Sequence, residues 1–391
     1  MSTTNNNSTR DSLTVWNLFT TFLRIGSTSF GMTMLENLRQ AAMRRSLINE
    51  QEMREGLALV QLYPGPIMFD LVAFIGYRRR GTAGAFAAAA GFILPATLLM
   101  LALAWSYTQF GNLPALKRLS LGLSALVVGI MAHITFDFMR KNLSGPVKVM
   151  LAAAAFAAAL AHVDPIIVIF LALAIGAGAL RTGTSVIPIP PIEPAIRRLV
   201  VPLVVTSVVL SGALVAAYMD TTLSQLTVAF MKIGATAFGN AATILPVMEN
   251  VVVGQHGWLA PDEFNLAIAL GNLTPGPVLN SATFVGYRVA GVVGGLLATI
   301  AVFAPSFAMT LLMAELYEKV RRYSVMRAAI QGVMAAFVGL LAAITFIMAK
   351  PIIGDTSAMI AAGVTVLALV VRVPVILIFA VGAPVWLIFA R

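Results

Sequence analysis

Two Pro-Gly-Pro triplets, Pro64-Gly65-Pro66 and Pro275-Gly276-Pro277, interrupt otherwise apolar stretches of this chain. A helix cannot run through either. Two prolines remove two amide donors and clash with the preceding turn, and the glycine between them permits a sharp reversal. Backbone left unsatisfied in lipid is tolerated only where it is buried in protein or lines a cavity. The helix that starts after each triplet therefore directs its N-terminal amides and the positive end of its dipole at such a cavity. Two such ends brought together make a site for an anion. For one triplet alone, a re-entrant hairpin that only shapes the fold competes with this reading. Recurrence favours binding, with polar Gln61 and Asn272 at matched flanks and Thr274 beside the second triplet.

A second matched pair is Ser27-Thr28-Ser29-Phe30-Gly31 and Ala235-Thr236-Ala237-Phe238-Gly239-Asn240. Small and hydroxyl residues ahead of a Phe-Gly step serve either an unwound helix whose hydroxyls face a ligand or close helix packing. Ser27 and Ser29 become alanine in the second copy and read as packing. Thr28 and Thr236 keep their hydroxyls and are ligand candidates, with Gly31, Gly239 and Asn240. Arg24 and Lys232 are matched cations within these segments, suited to an oxyanion path or to snorkelling toward a headgroup. Asp70 follows the first triplet by four residues, and Asn280 is its counterpart. It is a candidate for holding a coupling proton, for repelling a misplaced anion, for capping its half-helix, or for pairing with Arg24. Tyr77-Arg78 and Tyr287-Arg288 read as interfacial anchors, with an anion funnel as the lesser alternative. His133 and Asp137 lie one turn apart and are candidates for a proton relay, but Arg140 and Lys141 are close enough to Asp137 that local pairing is the simpler reading.

The chain that must position these residues has 391 of them, 59% hydrophobic and 11% charged, with a mean hydropathy of +0.90. A soluble domain carries roughly 25% charged residues, so an ordinary soluble enzyme is excluded. Charge-free runs at 82–116, 149–161, 165–180, 199–219, 264–287, 289–314, 328–349, 356–371 and 373–390 locate the spans. Several exceed the roughly 20 residues that cross a bilayer; the shorter ones suggest hairpins or broken helices. The absence of cysteine excludes thiolate metal sites and a cysteine nucleophile. The three histidines, His133, His162 and His256, are isolated. No catalytic residue, metal site or cofactor is expected. The net charge of +10 is spread over short loops and is no nucleic-acid signal. Residues 1–12 are polar and read as a disordered tail.

A shift of about 210 residues superimposes the two halves. Arg24–Gly31 matches Lys232–Gly239 at five of eight positions, Phe74–Arg78 lies over Phe284–Arg288, and Gly122–Phe136 matches Gly332–Phe346 at eight of fifteen. The chain divides into a first repeat at 13–190, a linker with one helix at 191–220 and a second repeat at 221–391. One added span between two even copies inverts the second. The charges agree: of 26 Lys and Arg, 17 lie up to residue 198 and 9 after it, and loops that are basic in one half are depleted at the equivalent positions of the other. By the positive-inside rule this is an all-α polytopic membrane protein built of two inverted repeats with broken helices. About thirteen helical segments are expected, six plus one plus six, with a site near the bilayer midplane. An inner-membrane location with a cytoplasmic N-terminus follows, as monomer or homodimer.

The Phe-Gly segment, a polar residue three before Pro-Gly-Pro, the Gly-Tyr pair and a Gly-rich helix ending in Leu94-Pro95, all repeated, resemble the chromate ion transporter family in its long two-domain form. The resemblance spans about residues 14–390. It implies transport of chromate, usually as efflux that gives resistance, with sulfate as structural analogue. Met32 and Asn240 stand where the family commonly has a second glycine, so substrate preference is a separate question. Sulfate or other oxyanion uptake, a non-transporting membrane subunit and a membrane-embedded reductase are the alternatives; the reductase lacks cysteines, clustered histidines and a dinucleotide fingerprint.

Overall fold

The computed structural model describes residues 14–28, 34–111, 114–180, 196–218, 221–237, 241–320 and 324–389, and all that follows concerns these. The polar tail at 1–12 and the Pro-rich stretch around Pro188–Pro194 lie outside them. The described residues form fifteen α-helices and no strand: α1 Val15–Thr28, α2 Met34–Arg44, α3 Glu50–Leu59, α4 Ile67–Phe110, α5 Pro114–Asn142, α6 Pro146–Leu160, α7 Pro165–Ala179, α8 Ile196–Tyr218, α9 Thr222–Ala235, α10 Leu245–Glu249, α11 Pro261–Leu273, α12 Ser281–Val320, α13 Ser324–Ala349, α14 Thr356–Val370 and α15 Val375–Phe389.

Four stretches are long and apolar enough to cross a membrane: Ile67–Phe110, Arg118–Asn142, Val278–Glu315 and Ala328–Ile352. Two of them turn back on themselves. Helical dihedrals fail at Arg80 and Gly81 (φ 60°, ψ −150°) in α4, and at Ala290 and Gly291 (φ 62°, ψ −154°) in α12. Only glycine adopts that second conformation freely. Each helix is thus a pair of antiparallel arms. In α12 the arms are joined by a 2.6 Å hydrogen bond between the hydroxyls of Thr283 and Thr299. The 13- to 18-residue apolar runs also pair, as α6 with α7 and α14 with α15. Asp164 accepts a hydrogen bond from the Ile166 amide (2.9 Å) and opens α7; Asp355 accepts one from Ala358 (3.0 Å) and opens α14.

The outer surface is apolar, with Leu98, Ile300, Leu367 and Ile388 among many exposed aliphatic side chains, as lipid-facing helices require. Inside, the halves are exchanged. α13 packs on α6 and α7, while α5 packs on α14 and α15. The small residues at 122–129 and 332–339 make these contacts within one chain. Gly129 abuts Ala362 and Thr365 of α14, Gly122 lies under the Trp386 ring of α15, and Gly332 abuts Ala172 and Gly176 of α7. Trp386 also donates from Nε1 to the Arg118 carbonyl at 2.8 Å. The polar helices α2 and α3 are held by ion pairs: Arg39–Glu50 (2.5 Å), Arg78–Glu55 (3.2 Å) and Arg79–Glu52 (3.1 Å).

Candidate functional site

Both triplets line one cavity of about 530 Å3. Pro66, Ile67 and Met68 come to it from the first triplet and the start of α4, and Asn272, Gly276, Pro277 and Val278 from the second. Pro66 precedes α4 with no side-chain cap, and Pro277 likewise precedes the tight turn Val278–Asn280 that leads into α12. Helix starts of this kind leave amides free for an anion. Much of the remaining wall comes from α5, through Ile130, His133, Ile134, Asp137 and Lys141, and the rest from Met34 and Leu35 of α2, Leu245 of α10, Leu369 and Val375.

Each triplet is wedged against the second arm of the opposite half. Gly65 donates its amide to the Ala237 carbonyl, and a Cβ on it would collide with Asp70 Oδ2 and stand 2.8 Å from Ser306 Cβ. Gly276 (φ 101°) faces Ala96, which a Cβ would meet at 3.1 Å. Asp70 is fully buried, and neither of its oxygens has a hydrogen-bond partner. The hydroxyls of Ser306 and Thr310 stand close enough to act on it, and each also bonds within its own helix. Ser306 donates to the Phe303 carbonyl (3.2 Å), Thr310 to the Ser306 carbonyl (2.9 Å), and Thr310 also shares a 2.7 Å hydrogen bond with Tyr63. Asn280, at the counterpart of Asp70, is buried too, with both side-chain polar atoms unpartnered. An unpaired buried carboxylate costs several kcal/mol, and even a neutral polar group costs about 1–3 kcal/mol. Two sites in the fold carry that cost beside the two breaks.

Two sequence readings of Asp70 are corrected. It does not pair with Arg24, which is exposed on α1, and it does not cap its half-helix. Of the other candidates, Pro66, Asn272, Gly276 and Pro277 surround the cavity, while Pro64, Gly65, Thr274 and Pro275 form its supporting backbone. Asn272 also donates to the Ile268 carbonyl at 2.9 Å. Gln61 is exposed and away from the cavity lining, as are Arg24 and Lys232. Thr28 donates to the Arg24 carbonyl (2.9 Å) and Thr236 to the Ile233 carbonyl (2.9 Å), each closing its own helix. Gly31, Gly239 and Asn240 lie outside the described residues.

Sequence reading assigned no ligand role to His133, Asp137 or Lys141, yet all three line the cavity. The Asp137–Lys141 pair is present at 2.6 Å, as helical spacing predicts. The signal for a site was the same spacing: four residues apart, twice, on one face.

A family model described as chromate transporter matches residues 16–177 and 224–387. A chromate transport protein of Cupriavidus metallidurans is 31% identical over 88% of this chain and 85% of its own length. An uncharacterized transporter of Methanocaldococcus jannaschii is 32% identical over 86% and 85%, and a chromate transport protein of Pseudomonas aeruginosa 29% identical over 85% and 80%. No solved structure matches the chain.

Proposed function

The chain belongs to the chromate transporter family, and from that membership we propose that it carries chromate, a tetrahedral dianion, across the cell's inner membrane through the cavity between its two Pro-Gly-Pro triplets. The observation that carries this reading is the convergence of Pro66, Asn272, Gly276 and Pro277, from opposite halves of the chain, on one cavity. Amides at two helix starts suit a dianion with no resident cofactor.

The two halves act as inverted repeats that rock about this cavity, exposing it to each face in turn. The paired reversals at Gly81 and Gly291 and the exchanged packing of α5 and α13 support that symmetry. Lys141 lies at the end of α5 that carries Arg140 and Lys141, the end that the positive-inside rule assigns to the cytoplasm; on this reading the cavity opens inward and the N-terminus is inside. Efflux is the favoured direction. One charge moved through 100 mV is worth about 2.3 kcal/mol, so an inside-negative membrane expels a dianion with about 4.6 kcal/mol at that potential. Uptake must overcome the same quantity with several cotransported cations. Asp70 is the residue placed to bind a coupling proton where coupling is needed.

Sulfate exchange or uptake is the second reading, since helix-start amides recognise either tetrahedral dianion. Purified protein in liposomes, loaded with labelled chromate and assayed with and without sulfate and a pH gradient, separates the two. Chromate movement that exceeds sulfate movement supports the chromate reading; sulfate movement without chromate movement replaces it.

A further inference from the structure

We propose that one stripe of α5, formed by His133, Asp137 and Lys141, is the route by which the anion passes from the basic face to the two triplets, with Lys141 exchanging the Asp137 carboxylate for the incoming dianion. This rests on the oxyanion reading above.

The three residues are the titratable side chains among the cavity's lining. Spacing of four keeps them on one face of the helix, and a little over two turns, about 12 Å, separate Lys141 from His133. Lys141 lies at the exposed end, with a side chain 66% accessible, and its ammonium holds Asp137 at 2.6 Å. At the inner end, Nδ1 of His133 is buried without a hydrogen-bond partner. A lone carboxylate in an anion path repels the cargo. One already paired to a lysine instead occupies the position that an oxyanion will take, with the same kind of acceptor oxygens. The pair is exposed and therefore weak enough to exchange. A dianion competes with Asp137 for that ammonium better than a monoanion does, because attraction scales with charge. The stripe thus selects dianions at the mouth and delivers them to a histidine that has an unused polar atom.

The second half has Ala343, Ile347 and Pro351 at the shifted positions. The stripe is therefore no requirement of the packing that α5 and α13 share. It is an addition to one face of the membrane.

The test is initial-rate chromate transport in vesicles whose basic face is outward. Lys141→Ala raises KM about tenfold or more, and Lys141→Arg recovers most of that loss. Asp137→Asn lowers KM about two- to fivefold and lets a monovalent oxyanion such as perchlorate compete better. The double swap Asp137→Lys with Lys141→Asp restores an ion pair without restoring wild-type KM, which separates this role from a structural one. Wild-type KM and selectivity in both single variants, with wild-type chromate transport intact, overturn the proposal alone. Absence of oxyanion transport by the wild-type protein from either face overturns the oxyanion reading and the stripe's role together.

Discussion

The hydroxyl of Thr135 on α5 lies 3.0 Å from the hydroxyl of Thr345 on α13, and the two residues are 210 positions apart. That interval is the shift that superimposes the halves of the sequence. Equivalent positions of two copies touch near the axis that relates them, so on the inverted-repeat reading proposed above this contact is where that axis would cross the α5–α13 pair. The natural chain contains no cysteine, which makes a direct check simple. Thr135→Cys with Thr345→Cys should form a single intramolecular disulfide on mild oxidation, seen as a mobility shift that reductant reverses. Intermolecular dimers in its place would contradict the contact.

The triplet glycines are held to a tolerance of less than one methyl group. Gly65→Ala drives a carbon into Asp70 and Ser306, and overpacking of this kind costs about 1–3 kcal/mol. Gly276→Ala adds a side chain at φ 101°, a conformation that costs about 1–3 kcal/mol outside glycine. Both variants should melt earlier in detergent and lose transport. Gly363→Ala is the control: nothing lies within 4 Å of a Cβ there, and inside a helix alanine is favoured by about 1 kcal/mol.

Asp70→Asn makes the first half like the second, where Asn280 stands at the same place. The side chain keeps its shape, so the protein should fold and still exchange anion for anion. Transport driven by an imposed pH gradient should fall to the level of that exchange. Undiminished gradient-driven transport would remove Asp70 from coupling.

Lys232 stands close enough to His256 to act on it electrostatically, and it does not line the cavity. Burial lowers the His256 imidazole from its ordinary 6.5, and the Lys232 ammonium adds to the effect. The folded protein therefore binds this proton less readily than the unfolded chain. His256 contributes stability that is fully present above about 6.5 and is lost as the pH falls through its lower folded value. Melting temperature should decline over that interval in wild-type protein, and His256→Gln should flatten the decline. An unchanged profile would rule out His256 as its source.

The sequence displayed the breaks plainly, because lipid leaves so few ways to tolerate Pro-Gly-Pro. The reversals at Gly81 and Gly291 were half visible: each follows within three residues of an arginine, Arg80 or Arg288, where a charge-free run opens, but their positive φ is set by how the arms pack. Asp70 stood out as an acid in an apolar run, whereas its neighbours Ser306 and Thr310 come from the other half and only the fold brings them near. His133 and Lys141 were passed over because pairing along one helix explains Asp137 completely. What that view lacks is the opposite wall, Asn272 and Gly276, which no local pattern connects to α5. Thr28 and Thr236 show the reverse case, where a matched hydroxyl serves its own helix end.

The central claim is that the oxyanion passes between the two triplets, and Asn272 gives the most direct access to it. In a chain without native cysteine, Asn272→Cys places one thiol on the cavity wall, and Ser144→Cys places one on an exposed loop as control. Vesicles of both orientations are treated with a membrane-impermeant thiol reagent, and labelled chromate flux is then measured. The account predicts that reagent applied from the basic face abolishes flux through the Asn272→Cys protein and leaves the Ser144→Cys protein active. Full chromate flux through protein shown by mass to be modified at position 272 would contradict it.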